Sequence, residues 1–250
     1  MRSNNVSNNK RKKRAGKQGM MPFAKARKRP GPKPKATSGV SHTRRPDVDP
    51  KHPMLITMKL KRGLPTLRSR AEFDVIRDVF RAAKKHEGFR TWHLSVQGDH
   101  VHLLCESDDR ASVSRVMQGI MISLARRLNR LWNRTGKVFL DRYHRVDKRS
   151  PREVRNAIRY VLMNARKHRP RETRYDVCVT NAKGEVIQRT TTVLDPFSTA
   201  HQVKAWLEPF VYDPIVAESP IVKPKSWLAR DGWHQRGGGL LSIHSSPSAA

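Results

Sequence analysis

The chain has 250 residues, room for one well-packed domain with extensions, and its 52 Lys and Arg against 21 Asp and Glu give a formal charge of +31. Such a field attracts polyanions, which makes nucleic acid the expected partner. No apolar run reaches the roughly 18 residues of a bilayer span, the basic start lacks a secretory apolar stretch, and two cysteines, Cys105 and Cys178, exclude a disulfide framework or zinc knuckle and suit a reducing cytosol.

Residues 1–48 hold almost no aliphatic or aromatic side chains, so a disordered basic arm is expected. Within it Arg29-Pro-Gly-Pro-Lys-Pro-Lys35 loosely resembles a minor-groove AT-hook without its usual core, or serves as a solvated tail with non-specific phosphate affinity. Lys10-Arg-Lys-Lys-Arg14 is also compatible with a nuclear signal. From His52 the pattern alternates, with Leu55, Thr57 and Lys59 opposing Met54, Ile56, Met58 and Leu60, which predicts a first strand. Ser69-Arg-Ala-Glu72 has the form of a capping box, and Phe73, Ile76, Val79 and Phe80 extend a helix to about His86. Two strands follow, Phe89 to Gln97 and His100 to Cys105, around the two-residue turn Gly98-Asp99. Ala111 to Asn133 predicts a helix with Val113, Val116, Met117, Ile120, Met121, Leu124, Leu128 and Leu131 on one stripe. Lys137 to Val146 is a fourth short strand, and Ser150-Pro151 opens a last helix that lasts to about His168.

This order of strand, helix, strand, strand, helix, strand defines an α+β fold, a ferredoxin-like antiparallel sheet (βαββαβ) with one added C-terminal helix. The domain spans residues 49–170. Residues 171–250 form an extension, partly disordered, with a hairpin from Val177 to Val193 around Asn181-Ala-Lys-Gly184 and a short helix from Thr199 to Phe210. Trp206 and the segment Trp227-Leu-Ala-Arg-Asp-Gly-Trp233 either stack on bases or dock the tail onto the domain. The last ten residues look disordered.

The hairpin turn fixes which side chains share a face. Gln97 opposes His100, Ser95 opposes His102 and His93 opposes Leu104, while Trp92, Leu94, Val96, Val101, Leu103 and Cys105 fall on the other, apolar side. Two histidines at i and i+2 of a strand can share one cation, or can simply be half-exposed residues on an ordinary sheet. On the last helix Val154, Ile158, Val161, Leu162 and Ala165 form the apolar stripe, and Glu153, Asn156, Tyr160, Asn164 and Lys167 lie elsewhere. Tyr160 and Asn164 therefore project side by side. Tyr143, on the expected fourth strand, is the competing nucleophile.

These blocks resemble a known family. Gln97-Gly-Asp-His-Val-His-Leu-Leu104 is similar to the HUH motif of single-tyrosine transposases, and Phe139-Leu-Asp-Arg-Tyr-His144 and Arg159-Tyr-Val-Leu-Met-Asn164 are similar to the later blocks of the REP-associated tyrosine transposase branch. Ala165 stands where that branch often has proline. The resemblance spans about residues 50 to 170 and implies a metal-dependent transposase that cleaves and rejoins single-stranded DNA through a 5′-phosphotyrosine link. It implies Tyr160 as the catalytic nucleophile, carried on the added helix, with His100, His102 and Asn164 as ligands of Mg2+ or Mn2+, although a histidine pair alone also suits Zn2+. Gln97 is a candidate orienter or DNA contact. Arg126, Arg127, Arg130, Arg142 and His144 are candidate DNA contacts, and hairpin DNA is the implied partner. A bacterial cytoplasmic, nucleoid-associated protein follows from the resemblance, which leaves open a monomer whose helix completes its own site and a homodimer whose helix completes its partner's. The alternative is a DNA- or RNA-binding protein that keeps the fold and never cuts.

Overall fold

The computed structural model describes residues 45–168, 174–180, 184, 186–192, 194–203, 206–207 and 219–243, all within the unit Gly39–Ala250. The basic arm up to residue 44, with its AT-hook-like and Lys10–Arg14 stretches, lies outside them, as do residues 204–205, 208–218 and 244–250. Among the described residues no helix is long and apolar enough to cross a membrane.

Strand β1 is Met54–Lys59, followed by α1 (Arg70–Ala83), β2 (Phe89–Val96), β3 (His100–Ser107), α2 (Arg110–Leu131), β4 (His144–Asp147) and α3 (Pro151–His168). The sheet is antiparallel in the order β2-β3-β1-β4, the ferredoxin-like arrangement. Alternation gives each strand two apolar sides. Met54, Ile56, Met58, Val101 and Leu103 bury against Phe73, Ile76 and Phe80 of α1 and Val113, Met117 and Leu124 of α2. Leu55 and Leu104 bury on the other side against Val154, Ile158, Val161 and Leu162 of α3. The sheet is thus sandwiched, and α3 rests on β2 and β3.

Several expectations change in detail. Ser69 stands at the N-cap of α1 without a side-chain cap bond, and the Glu72 carboxylate, instead of reaching back to that cap, accepts from Trp132 Nε1 at 2.8 Å and ties α1 to the end of α2. Asp109 caps α2, its carboxylate accepting from Ser112 N at 2.7 Å. Leu131, expected on the buried stripe of α2, is 42% exposed, because the core ends one turn earlier at Leu128. Gly98 lacks the positive φ a tight primed turn would use. Its carbonyl and that of Asp99 accept from Leu67 N and Leu60 N, so tertiary bonds shape the turn. Beyond it the expected pairs Ser95↔His102 and His93↔Leu104 hold, but a bulge at Trp92 shifts the register. The extra residue turns Trp92 toward α3, away from the side of Leu94 and Val96. The fourth strand shortens to His144–Asp147, with Phe139 reduced to an isolated bridge to Leu60.

The extension joins the fold. Arg174–Thr180 (β5) and Val186–Thr192 (β6) form the expected hairpin, and among the described residues of the helix expected from Thr199 to Phe210, Ala200–Gln202 is a helical turn. Residues 194–203 run along the open edge of β2: Val96 N donates to Phe197 O at 2.8 Å and Thr199 N to Leu94 O at 2.9 Å. A sheet edge left bare pairs with other chains, and here it is covered. Asp195 anchors this strap through two bonds from Arg68 at 2.9 and 3.0 Å, both side chains being 3% exposed or less. Trp206, Trp233, Leu241 and Ile243 complete the core under α3.

Breaking a buried pair leaves one uncompensated charge, so Asp195→Ala is expected to cost about 3 kcal/mol of unfolding free energy. An unchanged urea midpoint would refute the clamp. Burial also pulls the imidazole of His93, beside Thr199 at 3.2 Å, down to about 3, and that of His201 to about 4, from the usual 6.5. Both stay neutral when folded and gain protons more readily when unfolded, so their stabilising effect is full above about pH 6.5 and is lost as pH falls toward 4. The urea midpoint should fall between pH 7 and pH 5, and a flat profile would contradict this.

Candidate active site

Sheet register lines up four side chains. Ser95 pairs with His102, His102 with Thr57 and Thr57 with His144, one from each strand. Directly paired residues share a face, and since Val101 and Leu103 belong to the core behind, His100 and His102 stand on the α3 side.

His102 is 3% exposed. Its Nδ1 lies 2.9 Å from Thr57 Oγ1 and its Nε2 3.3 Å from the Tyr160 hydroxyl, the two rings meeting edge to face at 4.9 Å. The His100 ring follows at 4.6 Å, with Nδ1 2.6 Å from Asp99 Oδ1. Burial works against the charge of Asp99, but the hydrogen bond and charge of His100, with Lys59 at 3.9 Å, outweigh it and hold the carboxyl below its usual range. An oxygen on Nδ1 is the arrangement that orients metal-binding imidazoles and directs Nε2 at the ion.

Helix α3 supplies the phenol. Ser150 Oγ accepts from Glu153 N at 3.2 Å and the Glu153 carboxylate accepts from Arg149 N at 2.9 Å, a reciprocal cap that starts the helix. Val154, Ala157, Ile158, Val161, Leu162 and Ala165 are buried and seat it. Tyr160, half-buried beside this stripe, reaches His102. Burial raises its pKa above the usual phenol value, so it rests as the neutral phenol.

Thr57, Lys59, His100, His102, Arg142, His144 and Tyr160, with Leu140 and Asp141, line one open cleft of about 400 Å³. Arg142 and His144 therefore join the histidines and Tyr160. Tyr143 does not: it is 6% exposed in the core on the far side of the sheet, with the Arg45 guanidinium 3.8 Å over its ring. Arg126, Arg127 and Arg130 are exposed on α2, across the sheet from the cleft. Gln97 is buried, its amide nitrogen donating to Ser95 Oγ at 2.9 Å, and does not line the cleft.

Among the described residues no group of three or more His, Cys, Asp and Glu is placed to hold a metal ion. Among these residues an amide or hydroxyl oxygen is the donor left to stand as a third ligand beside the two imidazoles. Asn164 has that chemistry. It lies one turn beyond Tyr160, fully buried rather than lining the cleft, and among the described residues neither Oδ1 nor Nδ2 has a hydrogen-bond partner. A buried carbonyl oxygen without a donor is costly, and a cation would satisfy it. The donor set fits a divalent metal on these grounds.

Sequence reasoning missed Thr57 and Asp99 as supports and Lys59 as a cleft residue. Alternation placed Thr57 and Lys59 on one face of β1, but the pairing of β1 with β3 joins segments about forty residues apart and left no local signal. Asp99 was visible only as a turn residue.

Residues 56–162 match the family described as "Transposase IS200 like". No curated protein matches the sequence. A solved structure of a REP-associated tyrosine transposase bound to a REP hairpin is similar at 18% identity and a TM-score of 0.46, over 74% of this chain and 99% of that one. The stretch that matches the IS200-like transposase family carries the histidine pair and Tyr160.

Proposed function

We propose that this protein cleaves and rejoins single-stranded DNA through a covalent link to Tyr160. The observation that carries this reading is the Tyr160 hydroxyl 3.3 Å from His102 Nε2, in a cleft that also presents His100, Lys59 and Arg142. A nucleophile, imidazoles and cations meeting in one open cleft is what attack on a phosphodiester requires.

His100, His102 and Asn164 would hold Mg2+ or Mn2+. When bound, the cation withdraws charge from the phosphoryl oxygens of the scissile bond. Thr57 and Asp99 orient the two imidazoles. Lys59, Arg142 and His144 position the phosphate. Tyr160 oxygen forms the new bond to phosphorus as the bond to the 3′-oxygen breaks, and in the net reaction the phenolic proton ends on the departing 3′-hydroxyl. No water is consumed, so the phosphotyrosine can be attacked in reverse by another 3′-hydroxyl. Tyr160 sits recessed against a sheet, where a regular duplex cannot bring a phosphate in line. The substrate is therefore a single strand, and the resemblance of the three sequence blocks to REP-associated enzymes favours one flanked by a hairpin.

Incubation of a labelled hairpin oligonucleotide with Mn2+ is expected to give covalent protein–DNA adducts in the wild type and in Tyr143→Phe, and none in Tyr160→Phe. Binding without adducts in the wild type would instead favour a nucleic-acid-binding protein that does not cut. Thr57→Val removes the oxygen on His102 Nδ1, and loss of such a support weakens metal binding by about tenfold or more. Mn2+ binding followed by electron paramagnetic resonance tests this, and unchanged affinity would remove Thr57 from the site.

A further inference from the structure

The tryptophans of the extension have separated roles. Trp206 and Trp233 are 9% and 6% exposed in the core under α3, whereas Trp227 is 41% exposed. It stands at the edge of a second cleft, of about 810 Å³, whose lining includes Lys51, Arg149, Lys225 and Arg236. All four of these cations are exposed. Among the described lining residues Asp108 is the sole carboxylate, and Arg90 already pairs with it.

The indole is held for presentation. It lies against Gly232, where a Cβ would come within 2.7 Å of the ring, so only glycine admits this contact. The Arg236 guanidinium sits 5.5 Å from the ring centroid. The turn before it is pinned by Glu106, a carboxylate with no exposed surface, which accepts from Lys225 N at 2.7 Å, Ser226 N at 3.0 Å and the Ser226 hydroxyl. Two carboxylate oxygens thus fix the backbone that carries both the cation and the aromatic ring. Side chains locked from behind in this way suit recognition.

We infer that this cleft is a second nucleic-acid subsite, in which an unstacked base lies on Trp227 and the neighbouring phosphates meet Lys51, Arg149, Lys225 and Arg236. A rigid aromatic ring among cations is the pattern that binds single strands, since every base has a face to stack and every linkage a charge to neutralise. Placement supports the same occupant. Pro151 at the start of α3 lines this cleft and Tyr160 lines the other, and nine helical steps separate them by roughly 13 Å along the axis. Nine steps also turn the helix by about half a revolution, so one strand that crosses α3 between these positions can occupy both, with the segment on Trp227 several nucleotides from the phosphate at Tyr160. This inference rests on the reading of the substrate as single-stranded DNA.

Fluorescence anisotropy with a labelled single-stranded oligonucleotide of about 12 nucleotides, and with its duplex, tests it on the full chain. Trp227→Ala is expected to weaken single-strand binding about tenfold and to leave duplex binding unchanged, while Trp227→Phe keeps most of the affinity. The double variant Arg149→Gln with Lys225→Gln, both at exposed positions, should lower affinity and flatten its salt dependence. Equal single-strand affinity in Trp227→Ala overturns the subsite, as does an equal loss on duplex or a failure of phenylalanine to rescue, which marks a purely structural tryptophan. Adduct formation by the wild type, measured in parallel, separates the two readings. Adducts with Trp227-independent binding remove the subsite alone, whereas Trp227-dependent binding without adducts removes the cleavage reading and leaves the subsite.

Discussion

Strand β3 runs between β2 and β1, and its pairing with both decides which of its side chains meet α3. A slip of one residue would send His100 and His102 into the core behind the sheet and bring Val101 and Leu103 to the cleft, since strand side chains alternate. The sequence protects against that slip from both sides. Val101, Leu103 and Cys105 are fully or nearly fully buried against α1 and α2, Leu104 is fully buried against α3, and Leu60 N and Leu67 N grip the carbonyls of the turn at Gly98 and Asp99. The geometry of the imidazoles follows from apolar packing that never touches them.

Much of this site was legible in local pattern. The short turn between two alternating segments placed His100 and His102 on one face, and the capped, amphipathic last helix placed Tyr160 off its apolar stripe. What was hidden depended on meetings between distant segments. Thr57 becomes a partner of His102 only once β1 lies beside β3. Trp92 changes sides because of a bulge that no composition signal marks. Tyr143 stood on the expected fourth strand as the rival nucleophile, but with its neighbour His144 facing the cleft its ring falls in the core on the far side of the sheet. Ser69 and Glu72 have the spacing of a cap, yet the indole nitrogen of Trp132 offers that carboxylate a tertiary partner, and the local motif gives way. Asn164 was expected beside the phenol on a polar stripe, and the stripe instead dives beneath the helix, so that the amide ends up wholly enclosed.

A chain this basic uses its few buried acids to hold backbone in place. Asp195 locks the strap to Arg68 and Glu106 fixes the turn before Trp227. Each stands where a cation or several N–H groups converge, the condition under which a carboxylate tolerates burial. Helix α3 links these parts: its apolar stripe rests on the sheet, its first turn borders the cleft of Trp227, and its middle carries Tyr160.

The strap across β2 has a consequence for how the molecule comes into being. The four paired strands are synthesised by Asp147, but the segment that shields their outer rim is not made until residues 194–203, and Trp233 and Ile243 arrive later still. A nascent chain on the ribosome must pass through an interval with the rim bare and half of one core unfilled, a state open to pairing with a neighbouring polypeptide. Premature termination between the end of α3 and residue 194 would leave a fragment containing every residue of the cleft and yet poorly able to stay apart from its own copies.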